Sequence, residues 1–241
     1  MDIILASGSP RRHELLAAAQ LEFSIMSVDI DETPHDDESP KDYIQRMVTT
    51  KATAAVAKLN ADHQNNQSQL STFSLALNIP FIILTADTIG VLPDGKTVLV
   101  KPTDCNHAYS MWQRMSDKTH QVWTAVQATQ VILTAIDKTN SNDSISSVDT
   151  IELQVIWQQQ IIERTDVSFV PLTPDMMANY WNSGEPADKA GGYGIQGLAA
   201  AWVTRINGSY TNVVGLPLAQ TLALINDASN GYNNNKIKLI S

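Results

Sequence analysis

A single cysteine, Cys105, stands in this chain of 241 residues. That excludes an intrachain disulfide and any zinc site built on several cysteines. With no base partner near it in sequence, Cys105 reads as a structural thiol. Charge is also sparse. Charged residues make up 17%, below the usual quarter, so Asn, Gln, Ser and Thr cover much of the surface. The balance is acidic: 16 Lys and Arg against 25 Asp and Glu give a formal charge of −9. Long-range attraction to a polyanion is therefore missing, and a general nucleic-acid binder is disfavoured. A small phosphorylated ligand needs only a local cluster of cations and stays open. Long apolar runs are absent too. The stretch from Pro80 to Leu84 falls far short of the roughly 20 residues of a membrane helix, so no membrane partner is expected. The opening Met1-Asp2-Ile3-Ile4-Leu5-Ala6 reaches Ser7 too soon for a signal peptide and carries an acid where a basic region would sit. Hydrophobic residues at 43% are enough for a substantial core. The expectation is a soluble, cytoplasmic α/β protein.

Periodicity supplies the elements. Residues 3–6 read as a short buried strand. Ser7-Gly8-Ser9-Pro10 then turns the chain into a helix, with Ser9 suited to the N-cap and Pro10 to the first helical position. Phe23, Ile25 and Val28 predict a second strand, and residues 29–38 an acidic loop. Ser39-Pro40 opens another helix, where Asp42 is placed for an acidic capping box. Ile44, Met47, Val48, Lys51 and Ala55 share one stripe of it. Lys51 is thus a cation on an apolar face, which is costly unless it meets an anion or snorkels to solvent. Residues 60–78 are polar and read as a loop insertion. Residues 81–86 form the strongest strand, with Asp87 at its C-terminal end, where open α/β sheets place their sites. A hairpin follows, from 89–92 through Asp94-Gly95 to 97–100. Ala108, Met111, Trp112 and Met115 mark a helix. Strands at 121–136 and 150–157 flank a polar loop, 137–147. Thr173-Pro174 starts a helix carrying Met177 and Tyr180, and residues 185–197 form a glycine-rich loop. A final hairpin is predicted at 201–206 and 210–214 around Asn207-Gly208. Pro217 opens a terminal helix with Leu218, Leu222 and Ile225, ending in a frayed tail at 230–235. There is no internal repeat.

Four segments could carry chemistry. At Ser7-Gly8-Ser9-Pro10-Arg11-Arg12, backbone N–H groups at a helix start and two forked guanidiniums suit phosphate oxygens; a capped helix with two solvated arginines fits equally. Asp87, in Thr85-Ala86-Asp87-Thr88, suits a general base or a Mg²⁺ ligand, or a turn cap. Glu32 in the acidic loop could join it at a metal. Lys101-Pro102 follows the hairpin. The run from Gly184 to Gly197 permits close backbone approach, adds Lys189, and offers Gln196 as a two-way hydrogen bonder for a base edge. Neither a Walker A nor a dinucleotide-binding glycine pattern occurs. His13, His35, His63, His107 and His120 lack metal-ligand spacing and read as surface or core residues.

Taken in order, these segments resemble the Maf family of nucleoside triphosphate pyrophosphatases. The match runs through Leu5-Ala6-Ser7-Gly8-Ser9-Pro10-Arg11-Arg12, Glu14-Leu15-Leu16, Asp31-Glu32, Ser39-Pro40, Lys51-Ala52, Ala86-Asp87-Thr88, Lys101-Pro102 and Thr119-His120. It ends with Gly184 to Gly197 and Gly208-Ser209-Tyr210 to Leu218. Any one motif is weak, but the ordered set spans nearly the whole chain. The resemblance implies one domain over residues 1–241, with insertions at 60–78 and 137–147. It implies an elongated mixed β-sheet flanked by helices, in two lobes around a cleft, with a homodimer as one option. It also implies hydrolysis of the α–β phosphoanhydride with Mg²⁺ or Mn²⁺, releasing a monophosphate and pyrophosphate, in removal of non-standard nucleotides.

By the same resemblance Asp87 matches the catalytic aspartate and, with Glu32, the metal site. Ser7, Ser9, Arg12, Lys51, Lys101 and Lys189 fall at phosphate-binding cleft positions, and Lys51 acquires its anion. Arg11, Thr88 and Gln196 fall at the three positions that vary with substrate, and the trio resembles the dTTP/UTP pyrophosphatases. The 7-methyl-GTP group carries an aromatic, a glutamine and a glutamate there. Val100 departs from the family, where glycine is common before Lys-Pro. The competing classes are the methylated-guanine subgroup and a nucleotide-binding regulator of septum formation without turnover.

Overall fold

The computed structural model describes residues 1–64, 75–136 and 150–238. Seven strands form one mixed sheet flanked by helices. β1 (Ile3–Leu5) lies between β2 (Ser24–Ile25) and β3 (Phe81–Val91), parallel to both. β3 pairs antiparallel with β5 (Thr119–Ile136), which pairs with β6 (Thr150–Phe169), which pairs with β7 (Val203–Asn207). The short β4 (Val98–Leu99) returns onto the end of β3, as the Asp94-Gly95 hairpin predicts.

The uninterrupted apolar runs of β1 and β3 are explained by burial on both faces. Ile3, Leu5, Ile82 and Leu84 pack against Leu16 of α1 (Pro10–Ala18) and Leu224 and Ile225 of α6 (Leu218–Lys238). The alternate residues Ile4, Phe81 and Ile83 meet Ala55 and Leu59 of α2 (Pro40–Gln64) on the other face. The first half of α2 covers the far end of β3: Ile44, Met47 and Val48 pack on Ile89 and Val91. Beyond that, α3 (Cys105–Met115) and α4 (Pro174–Asn182) enclose an aromatic cluster centred on Trp112, Tyr180, Tyr193 and Trp202. Ala108, Met111, Trp112 and Met115 are buried, as their spacing predicts.

Several predicted boundaries move. α2 runs on to Gln64 rather than yielding to a loop at 60, because Leu59 is buried and Asn60 Oδ1 accepts from the Leu153 N–H at 2.9 Å. The rest of that predicted insertion between 65 and 74, and the predicted loop 137–147, lie outside the described residues. β3 does not stop before Asp87 but continues to Val91, and β6 continues past Trp157 to Phe169. In both cases β5 supplies a ladder partner along nearly the whole length, which overrides the polar stretches in the sequence. The final hairpin is absent. Tyr210–Val214 is a short helix, α5, although all its residues but Asn212 are β-branched or aromatic. Ser209 caps it by accepting from the Asn212 N–H at 3.2 Å, and the Asn212 side chain is buried, donating to Val122 O and Thr165 Oγ1. The tail predicted to fray at 230–235 is helical backbone within α6, which its buried Leu224, Ile225 and Ala228 anchor.

Candidate active site

The register of β3 creates an opening. On one edge β3 is paired to β5 throughout. On the other, β1 pairs only with residues 82–84 and β4 only with residues 90 and 91. Between them residues 85–89 have no ladder partner on that side, and Asp87 lies at the middle of the gap. A strand interior thus gives the accessible carboxylate that the sequence placed at a strand end. The cleft over this gap has a volume of about 1080 Å³, just above the usual range for small-molecule sites.

Strand alternation sends Asp87 and Thr88 to opposite faces. Asp87 faces α2, where Lys51 Nζ donates to its Oδ1 at 2.5 Å. The same ammonium lies 2.9 Å from Glu32 Oε1. Lys51 is 9% exposed, so the inward cation of the apolar stripe has found two anions rather than snorkelling. Lys101, which is largely exposed, approaches Glu32 Oε2 at 3.9 Å from the β4 side. The loop bearing Glu32 is pinned to α2: the Tyr43 hydroxyl donates to Glu32 O at 2.9 Å, and Arg46 donates to Thr33 O and to both oxygens of Glu38. Partial burial pulls the Glu32 carboxyl upward, but the hydrogen bond and charge of Lys51, with the charges of Lys101 and Arg12, outweigh it together, so the net shift is down. Burial also raises the Tyr43 phenol to about 12, with Asp87 and Glu32 adding to it. Tyr43 therefore stays a hydrogen-bond donor.

On the other face Thr88 meets Arg12. The Arg12 guanidinium donates from Nη2 to Thr88 Oγ1 at 3.1 Å, from Nη1 to Ser7 Oγ at 3.2 Å, and from Nε to Gly215 O at 2.9 Å. Burial draws Arg12 below its ordinary value, opposed by the charge of Asp87. Ser9 occupies the N-cap of α1 with Pro10 after it, as predicted, but its side chain makes no capping bond.

The glycine-rich segment closes the cleft. It is a series of short 3₁₀ turns on the aromatic cluster. Trp112 Nε1 donates to Gly191 O, the Gly194 N–H donates to the Tyr180 hydroxyl, and the Tyr193 hydroxyl lies 2.6 Å from His120 Nε2. Glu185 holds the two ends together by accepting from the Leu198 N–H.

Ser9, Arg11, Arg12, Glu32, Lys51, Asp87, Thr88, Lys101, Lys189 and Gln196 all line this one cleft. Ser7 lies beneath it, with its hydroxyl turned to Arg12 and the Ser9 N–H. Lys189 folds back to donate to Glu185 O at 2.6 Å. Sequence reasoning missed Tyr43, Arg46, Gly215 and Thr124, whose buried hydroxyl lies 3.0 Å from Thr88 Oγ1. Tyr43 lies about two turns before Lys51 on α2 and Arg46 about one and a half, which is the signal that could have found them.

Among the described residues no three His, Cys, Asp or Glu side chains cluster as a ready metal cage. Two carboxylates converging on one cation nevertheless supply hard oxygen donors, and Mg²⁺ is commonly held by one or two carboxylates with phosphate oxygens and water completing the shell. Asp87 and Glu32 fit that pattern.

The gap in the mixed sheet thus opens on one cleft where Arg11, Arg12, Lys51, Lys101 and Lys189 stand among the carboxylates of Glu14, Glu32, Asp87 and Glu185. The chain belongs to the Maf-like protein family, whose model matches residues 2–228. A Psychrobacter arcticus protein named dTTP/UTP pyrophosphatase is 65% identical over 231 residues, covering 95% of this chain and 96% of its own. One of the same name from Psychrobacter cryohalolentis is 65% identical over 227 residues, covering 94% and 97%. A third of that name, from Escherichia coli O157:H7, is 39% identical over 225 residues, covering 93% and 92%.

Proposed function

We propose that this chain is a dTTP/UTP pyrophosphatase: a single-domain, metal-dependent hydrolase that converts the triphosphate to monophosphate and pyrophosphate in the cytoplasmic nucleotide pool. The observation that carries the reading is Lys51 seated between Asp87 and Glu32 in the sheet gap. The names of the relatives, at 65% identity over nearly the whole chain, support it.

The site's chemistry follows from its own residues. Asp87 and Glu32 would hold Mg²⁺ or Mn²⁺, which when bound supplies charge neutralisation and polarisation of the phosphate. Lys51 engages Asp87 Oδ1 and leaves Oδ2 to take a proton from the water that attacks the α-phosphorus. The bond to the β-phosphate oxygen breaks, and pyrophosphate leaves. Arg12, Lys51, Lys101 and Lys189, with the backbone at Ser9, stabilise the charge on the departing oxygens. Arg11 and Gln196 face the same cleft, and the exposed Gln196 amide can both donate to and accept from a pyrimidine edge.

The test is product analysis with a panel of nucleoside triphosphates and either metal. Pyrophosphate released from dTTP and UTP ahead of the purine nucleotides is the expected result. Preferential hydrolysis of 7-methyl-GTP would overturn the substrate assignment. Tight nucleotide binding with no product would overturn the enzymatic one in favour of a regulatory binder.

A further inference from the structure

Gln196, the proposed base reader, sits at the corner of a tight turn. The Gly197 N–H donates to Gly194 O at 3.2 Å, which closes the turn around Ile195 and Gln196. Ile195 is buried, and Gln196 is exposed on the cleft. Both ends of the turn are held from outside it. At its start the Gly194 N–H donates to the Tyr180 hydroxyl at 3.1 Å. At its end Glu185 reaches back across the segment, and its two carboxylate oxygens accept from the Leu198 N–H at 3.2 and 3.1 Å. This packing explains the glycines. A Cβ on Gly197 would fall on the Glu185 carboxylate, and one on Gly194 would come within 2.8 Å of Lys189 Cε. Gly197 has a negative φ, so space rather than a left-handed backbone keeps a side chain out. A carboxylate on the wall of an anion cleft works against binding unless it is turned to the protein's own N–H groups, as this one is. Lys189 donates to the main-chain Glu185 O, a bond that does not need the Glu185 side chain.

Hydrogen-bond pattern alone does not make a glutamine amide choose a pyrimidine. Uracil and thymine offer a carbonyl beside a ring N–H, and guanine offers the same pair on a larger ring system. The amide can donate to one and accept from the other in either case. What separates the bases is reach, the distance from the amide to the phosphate end of the cleft. The backbone of the turn sets that distance. We infer that Glu185 is a positioning residue for base selection: its carboxylate fills the space left by Gly197, holds the turn, and fixes the reach of Gln196 to a pyrimidine. The inference rests on the pyrimidine reading above. It gives Glu185 no contact with the phosphates or the reacting water.

The experiment compares wild type, Glu185→Ala, Glu185→Gln, Gln196→Ala and the Glu185→Ala/Gln196→Ala double variant. It measures kcat/KM for UTP and GTP, with calorimetric titration of their uncleavable α,β-methylene analogues and of inorganic pyrophosphate. Glu185→Ala is expected to lower the preference for uridine over guanosine nucleotide about tenfold, the size of one hydrogen bond to the base. Pyrophosphate, which has no base, binds this variant as it binds wild type. Glu185→Gln keeps an oxygen for the Leu198 N–H and restores the preference. The double variant loses no more preference than Gln196→Ala, because both changes act on one contact. An unchanged preference in either Glu185→Ala or Gln196→Ala would overturn the inference. So would a loss shared equally by pyrophosphate and both nucleotides, which is what a merely structural role gives. Wild type with no preference between the two analogues would overturn it as well. Should Glu185→Ala not fold, Gly197→Ala displaces the carboxylate and carries the same comparison. Wild type that prefers the uridine analogue but hydrolyses no nucleotide would sink the enzymatic reading alone, and the titrations would still decide the role of Glu185.

Discussion

Lys51 is the residue where sequence and site meet. An ammonium on the apolar stripe of α2 has two outcomes, solvent or an anion, and the stripe alone does not choose. What the sequence could not show is that Asp87, 36 residues away, faces it across the sheet gap. Removing the cation leaves two carboxylates against each other. Lys51→Met should therefore cost about 2 kcal/mol at neutral pH, less than a fully buried pair because Glu32 is half exposed. Urea unfolding of the variant beside wild type checks the loss. Glu32 itself has a depressed value in the folded chain. Its contribution is present above the ordinary carboxylate range and is lost as pH falls through the lower folded value. Glu32→Gln should flatten that acid limb, read as Tm against pH.

The elements were legible where burial made a pattern, and illegible where a distant partner overrode it. β1, the start of β3, α3 and the β3–β4 hairpin follow from apolar runs and turn residues. The reach of β3 past Asp87 does not, because it is dictated by β5. Nor does α5, whose β-branched residues favour a strand until Asn212 is seen reaching Val122 O and Thr165 Oγ1. The gap itself is invisible in sequence, since it depends on where β1 stops and β4 begins. Two predictions belong here. Ser209→Ala removes the cap of α5 and should lower stability by about 1 kcal/mol in a denaturant titration. Gly90 lies against β4, and a Cβ there would come within 2.7 Å of Leu99 Cδ1. Gly90→Ala should push β4 outward and cost about 1–3 kcal/mol. It should also raise KM, because Lys101 follows β4 directly. An unchanged KM would show that the position of β4 does not set the cleft.

At the scale of the whole molecule, an acidic chain concentrates its few inward cations on one opening and closes that opening with a glycine-rich segment moored to an aromatic core. His120 lies beneath that mooring. Burial lowers it to about 4, so it is neutral in the folded chain at pH 7. Between roughly pH 6.5 and 4 the unfolded chain binds a proton that the folded one refuses, so stability rises with pH across that window by up to about 3 kcal/mol. His120→Gln should remove most of that slope in Tm. The residue set of the cleft was largely readable from ordered motifs, whereas its supports, Tyr43, Arg46, Thr124 and Gly215, required the fold. The central claim is that Asp87, exposed by the sheet gap, takes the proton from the attacking water. The most direct test is the rate of pyrophosphate release from dTTP by Asp87→Asn beside wild type, with Tm measured on both. A fall of about a hundredfold or more in a folded variant is the predicted result. Turnover at the wild-type rate would contradict it.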